Sequence, residues 1–306
     1  MPATSAHGED KPSPRQLIDA AHKTSDLMVL GSYILSASVV VNPGTSKEQT
    51  GSLAVYRDRD RARVDMAVAG GTETRITLGN KNYLDPDKML IASAWPFEFD
   101  RSWDPQHAER NIFLVRPAPQ SVSRRKIRGI EAWCVETKHD SGKDQICIDV
   151  TRNIVLVVNE KEFSDYTTVN GVMFPQTIRI AYPPGVIIEI RKIQISVYPV
   201  DATLFSVPAH TMEFETCDHE TPPRIVDSPI PERSNLARHE INATVRLYVF
   251  IDKEGKVAAM RFQTRGPETL ENKIKNAVMN WRFKPATCDG QPVNVATTLE
   301  LDGYRF

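Results

Sequence analysis

Between Tyr33 and Val197 short apolar runs are cut again and again by turn signals: Asn-Pro-Gly at 42–44, Asp-Arg-Asp at 58–60, Gly-Gly at 70–71 and Gly-Asn at 79–80. Such punctuation confines the chain to short strands joined by tight turns, and one large, curved antiparallel sheet is the economical outcome. The runs predict strands over Tyr33 to Val41, Gly51 to Arg57, Ala62 to Val68, Thr72 to Leu78 and Lys81 to Leu84. Further strands are predicted near Ile127 to Glu136, Ile146 to Asp149, Ile154 to Glu160, Phe163 to Val169, Phe174 to Tyr182 and Val186 to Val197. A helix precedes them, over Pro14 to Leu30, with Leu17, Ile18, Ala21 and Leu27 at roughly helical spacing.

The last quarter of the chain carries a different order. Val245, Leu247, Val249 and Ile251 alternate with Arg246, Tyr248 and Phe250, the period of a two-faced strand. Asp252-Lys-Glu-Gly255 supplies a turn, and Lys256 to Phe262 returns as the partner strand. From Pro267 the period becomes helical, with Leu270, Ile274, Ala277, Val278 and Trp281 on one face. Pro285 stops the helix, and Asp289-Gly290 turns the chain into a last strand over Val293 to Leu301. Trp281 and Phe283 read as core aromatics. The fold class expected for the whole chain is therefore α+β: residues 1–13 disordered, 14–214 a β-rich domain, 215–233 a Pro-rich linker and 234–306 a small sheet with a helix on one face.

Four cysteines are present. Cys134 and Cys147 flank a polar turn, and equal counts from each meet between Asp140 and Ser141, so a hairpin would set them opposite one another as a cross-strand disulfide. Cys217 precedes the linker and Cys288 precedes Asp289-Gly290, so a second bridge would tie linker to C-terminal domain. Zinc is the competing use of four cysteines, but no C-x-x-C spacing occurs and the seven histidines are scattered.

A net charge of -1 over 306 residues gives no electrostatic case for nucleic acid or an anionic membrane. No run reaches the ~20 apolar residues of a membrane helix. The sequence shows no phosphate loop, no His-Glu-x-x-His, no Gly-x-Ser-x-Gly and no activated Cys/His pair, so no catalytic residue, metal ligand or cofactor is expected and the chain is read as a non-enzyme. The run Arg57-Asp-Arg-Asp-Arg-Ala-Arg63 reads as a solvated turn between strands. Trp95, Phe97, Phe99 and Trp103 cluster in an irregular stretch between Asp85 and Arg116. They form either an apolar ligand site or a loop plugging the core.

The order of strand, turn, strand, helix, Trp281-Arg-Phe-Lys-Pro-Ala286 and strand resembles the C-terminal domain of the TonB family. That resemblance implies a periplasmic module that engages an envelope partner by pairing its last strand, with Val293, Val295, Thr297, Leu299 and Leu301 as the partner-binding residues. The physics is strand addition: an exposed edge offers unpaired N–H and C=O groups to an extended peptide. The alternative is an edge already paired, within the domain or with a second copy as a homodimer.

A second resemblance runs through Phe163-Ser-Asp-Tyr-Thr-Thr-Val-Asn-Gly171-Val-Met-Phe-Pro175, the turn Pro183-Pro-Gly185, and Asp201-Ala-Thr-Leu-Phe205-Ser-Val-Pro208. These look like the closing strands of the LolA and LolB lipoprotein-carrier fold, an unclosed half-barrel with a helix in its mouth that holds acyl chains. It implies a lipid or acyl ligand over roughly Pro14 to Met212. Met1 to Asp10 is polar and no signal-like apolar stretch follows. Both resemblances are to exported proteins, so an exported, periplasmic location is expected, with a cytoplasmic protein as the alternative. The function expected is an exported envelope binding protein, and the alternative is a structural protein that self-associates through its last strand.

Overall fold

The computed structural model describes residues 11–68, 71–85, 88, 120–139, 142–182, 186–215, 220–229, 245–262 and 268–301. Helix α1 spans Pro14–Ser25, and thirteen strands follow: β1 Ser32–Val41, β2 Gln49–Asp58, β3 Arg61–Val68, β4 Gly71–Leu78, β5 Lys81–Leu84, β6 Gln120–Ile127, β7 Ile130–His139, β8 Gly142–Asp149, β9 Val155–Val158, β10 Lys161–Val169, β11 Val172–Tyr182, β12 Val186–Ser196 and β13 Met212–Glu215. They form one sheet in the order β13-β5-β4-β3-β2-β1-β12-β11-β10-β9-β8-β7-β6, with β13 and β6 as its two edges. The C-terminal elements are β14 Glu220–Thr221, β15 Arg224–Asp227, β16 Val245–Ile251, β17 Val257–Phe262, α2 Glu268–Val278, β18 Arg282–Lys284, β19 Ala286–Cys288, β20 Gln291–Val293 and β21 Val295–Leu301.

The described residues gather into two compact units. One holds α1, β6 to β12 and parts of β1 and β2. The other holds β3 to β5, β13, all later elements and the remainder of β1 and β2.

In the first unit, α1 opens on a reciprocal cap: Gln16 N–H donates to the Ser13 hydroxyl at 3.3 Å, and Ser13 N–H donates to Gln16 Oε1 at 2.9 Å. Its buried face is Leu17, Ile18 and Ala21. The helix is shorter than the sequence period suggested. Asp26 ends it by accepting Met28 N–H at 2.8 Å, and Leu27–Leu30 forms a separate 3-10 turn. The strand expected over Ile127 to Glu136 begins only at Ile130, as β7, because Arg128 and Gly129 take φ of 47° and 86° and turn the chain back from β6, a strand that was not expected. An arginine is an uncommon first residue for a primed hairpin turn, and that hid the break. Asn170-Gly171, with φ of 47° and 84°, makes the same kind of turn between β10 and β11 in the commoner residue pair.

Cys134 and Cys147 are direct partners across β7 and β8 and form a disulfide, as their spacing predicted. The pair is fully buried in a cluster with Ala132, Ile154 and Leu156.

In the second unit, the charge run at 57–63 departs from a solvated turn. Arg57 is buried in β2, Arg61 lies 4.9 Å over the Phe205 ring, and the Arg63 guanidinium donates to the Leu204 carbonyl at 3.1 Å. Only 59–60 is turn, since the alternating charges sit on strands whose one face is covered. Glu73 and Arg75 form an ion pair buried on β4.

Residues 215–233, expected as a spacer, contribute β14 and β15, which pair with β19 and β18. Pro222-Pro223 separates the two strands without preventing either, because proline is tolerated at strand ends.

Candidate partner-binding edge

Strands β17, β16 and β21 form an antiparallel three-stranded sheet in that order, with β21 at one edge. The Asp252–Gly255 turn that joins β16 to β17 is held by the Asp252 side chain, which accepts from Glu254 N–H at 3.0 Å and Lys256 N–H at 2.7 Å. One face of β16, made of Leu247, Val249 and Ile251, packs on Leu270, Ile274 and Val278 of α2. Trp281 and Phe283 complete that core with ring centroids 6.4 Å apart, and the indole N–H donates to the Pro229 carbonyl at 3.3 Å. Both aromatics are core residues, as their sequence context implied.

The second face of β16 is also covered. Tyr248 and Phe250 pack with Leu84 of β5 and Phe214 of β13. Phe214 and Phe250 meet edge-on at 5.9 Å, and Tyr248 and Phe250 at 5.6 Å. Asn294 joins this seam from the other side: its side-chain amide donates to the Glu213 carbonyl at 2.9 Å, its backbone carbonyl accepts from Glu215 N–H at 3.3 Å, and its Oδ1 accepts from Lys253 N–H at 3.0 Å. Sequence reasoning missed these residues. The available signal was the apolar pair Tyr248 and Phe250 on the supposedly outer face of β16.

The five residues assigned to partner binding divide by element. Asn294 breaks the expected last strand, so Val293 ends β20 and pairs with Ala286, while Val295, Thr297, Leu299 and Leu301 lie in β21 and pair with β16. The side chains of Val293, Val295 and Leu301 are buried in the α2 core, with Leu299 packed against it and Thr297 half-buried. β21 is thus an edge strand of its three-stranded sheet, and these side chains fix its position there by packing into the α2 core.

Trp95, Phe97, Phe99 and Trp103 lie outside the described residues. So does Cys217, while Cys288 is disulfide-bonded. Among the described residues no group of three His, Cys, Asp or Glu could hold a metal ion, and no helix is long and apolar enough to cross a membrane.

The first unit has a hollow of about 400 Å³ that the sequence did not flag, lined by Arg128, Arg152, Asp165 and Tyr166 over Ile130 and Leu156. Arg128 is tied to the Phe163 carbonyl at 2.6 Å and Arg152 to Asp149 at 2.8 Å. Tyr166 donates its hydroxyl to the Val155 carbonyl, and burial pushes its pKa far above the ordinary range, so it stays neutral.

Residues 234–302 match the family described as the Gram-negative bacterial TonB protein C-terminal. No curated protein matches the chain in sequence. Among solved structures, the chain is similar to a LolA superfamily protein from Nitrosomonas europaea, 8% identical, TM-score 0.43, covering 64% of this chain and 98% of that one. A DUF1329 family protein from Desulfovibrio piger is 14% identical, TM-score 0.41, covering 63% and 96%. LprF from Mycobacterium bovis is 13% identical, TM-score 0.23, covering 66% and 100%.

Proposed function

We propose that this is a non-enzymatic, exported cell-envelope binding protein that recruits a protein partner by strand addition to the edge of β21 and holds an apolar or acyl ligand in its β-rich domain. The observation that carries the reading is β21 itself, an edge strand in the segment that matches the TonB C-terminal family, with its apolar side chains committed to its own core and one backbone edge outside the three-stranded ladder. Such an edge pairs with any extended peptide able to reach it, and main-chain hydrogen bonds supply most of the affinity. The ligand half of the proposal rests on Trp95, Phe97, Phe99 and Trp103 as an apolar cluster of the kind that lines acyl sites.

The test is mass spectrometry of organic extracts from the purified protein, run beside its oligomeric state. A reproducibly bound acyl species is expected. An empty protein that dimerises through β21 supports instead a structural envelope protein, and an empty monomer removes the ligand half of the proposal.

A further inference from the structure

We propose that the hollow of the first unit is a binding site for a small zwitterion, an α-amino acid with an apolar side chain, whose carboxylate lies on Arg152 and Arg128 and whose ammonium lies on Asp165. The inference rests on neither half of the proposed function. Every residue that lines the hollow falls between Arg128 and Tyr166, within one unit. Opposite charges face this one space, yet among the described residues Asp165 makes no ion pair with either arginine. Each of the three charged groups is tethered elsewhere. Arg128 donates through Nη2 to the Phe163 carbonyl at 2.6 Å and has Nη1 3.6 Å from Glu162. Arg152 donates through Nε to Asp149 at 2.8 Å, and among the described residues both its Nη groups are without a hydrogen-bond partner. Asp149 is itself buried and held by the N–H groups of Thr151 and Arg152, so it fixes the guanidinium from behind.

Asp165 is set by the backbone. It takes φ of 57° inside β10, and the ladder to β11 passes from Ser164 opposite Thr177 to Tyr166 opposite Pro175 without it. Aspartate tolerates that conformation, and its carboxylate accepts from the Ser164 hydroxyl at 3.0 Å. Charges of opposite sign that share a space and are held apart are preorganised for a ligand that carries both complements. A plain anion would meet the Asp165 carboxylate, and a plain cation would meet two guanidiniums, so the zwitterion is the species that matches all three groups. The paired Nη groups of Arg152 suit the two oxygens of a carboxylate. Ile130 and Leu156 supply an apolar floor, and Tyr166, kept neutral by burial, adds no charge, which suits an apolar side chain. The volume of about 400 Å³ lies within the range of small-molecule sites.

Isothermal titration of the full chain with L-leucine should show one site with a Kd below about 1 mM. N-acetyl-leucine lacks the ammonium and leucinamide lacks the carboxylate, so each should bind at least about tenfold more weakly to the same wild-type chain. Asp165→Asn keeps the tolerance for a positive φ and an acceptor for Ser164 while removing the charge. It should weaken leucine about tenfold and leave N-acetyl-leucine no weaker than before, a selective change that general unfolding would not produce. No binding of leucine up to about 10 mM, equal affinity for leucine and N-acetyl-leucine, or an Asp165→Asn chain that binds leucine as the wild type does each overturns the proposal. Acyl extraction and the pairing of β21 are read in separate measurements, so failure here is distinct from failure of the proposed function.

Discussion

Gly255 and Phe283 meet backbone to backbone: Phe283 N–H donates to the Gly255 carbonyl at 2.8 Å, and a Cβ on Gly255 would stand 1.9 Å from the Phe283 carbonyl oxygen. Gly255 also has φ of +79°, which L side chains rarely adopt. Gly255→Ala should therefore cost at least about 2 kcal/mol, left-handed strain plus a backbone displacement that no rotamer relieves. Gly290 has φ of +83° but open space around it, so Gly290→Ala carries the strain alone and should cost about 1 kcal/mol. Denaturant midpoints of the two variants check this; equal losses would mean that the close approach to Phe283 contributes nothing.

The Cys134–Cys147 bridge closes a short loop, with a sequence separation of 13. Chain-entropy reasoning gives about 3 kcal/mol for a loop of this size. The substitution of both cysteines by alanine should lower stability by about that amount, plus a smaller cavity cost since both side chains are fully buried. Urea unfolding of the double variant measures it. Reductant is a poorer probe, because it would also act on the bridge at Cys288.

Local pairing was largely legible in the sequence because its signals are local. Equal counts to a turn set Cys134 against Cys147, and the helical period from Pro267 found the buried face of α2. Arg128-Gly129 was missed because arginine rarely signals a left-handed turn. What covers each face was not legible. Tyr248 and Phe250 showed that β16 has a second apolar face, but Leu84 and Phe214, far away in sequence, are what cover it. Pattern names a face, whereas only the fold names its cover. For the same reason the last strand was foreseen as an edge, while the tie of Asn294 to β13 was not.

That seam makes a cooperative unit out of segments distant in sequence. Phe214→Ala removes a buried ring from both β13 and β16 and should cost about 3 kcal/mol. Hydrogen exchange should then quicken together in Met212–Glu215 and Val245–Ile251. Loosening confined to β13 would show that the three-stranded sheet stands without its cover.

Asp149 gives the β8–β9 turn a defined pH response. Burial alone raises its pKa, but the Arg152 backbone N–H, the Arg152 guanidinium and the Thr151 N–H together outweigh burial and hold the carboxyl below its ordinary value. The contacts are 3.0 Å, 2.8 Å and 2.8 Å. A carboxylate with a depressed folded pKa contributes stability that is complete above the unfolded value of about 4 and is lost as pH falls through the folded pKa. Asp149→Asn keeps an acceptor for the two backbone N–H groups but loses the charge that pairs with Arg152. It should therefore cost about 2 kcal/mol near pH 7. The difference from wild type should shrink steadily below about pH 4, where the native carboxyl protonates and both chains carry a neutral side chain. Thermal unfolding of the two proteins across that range tests the sign, and a gap that stays constant down to low pH would mean that the charge of Asp149 does not stabilise the turn.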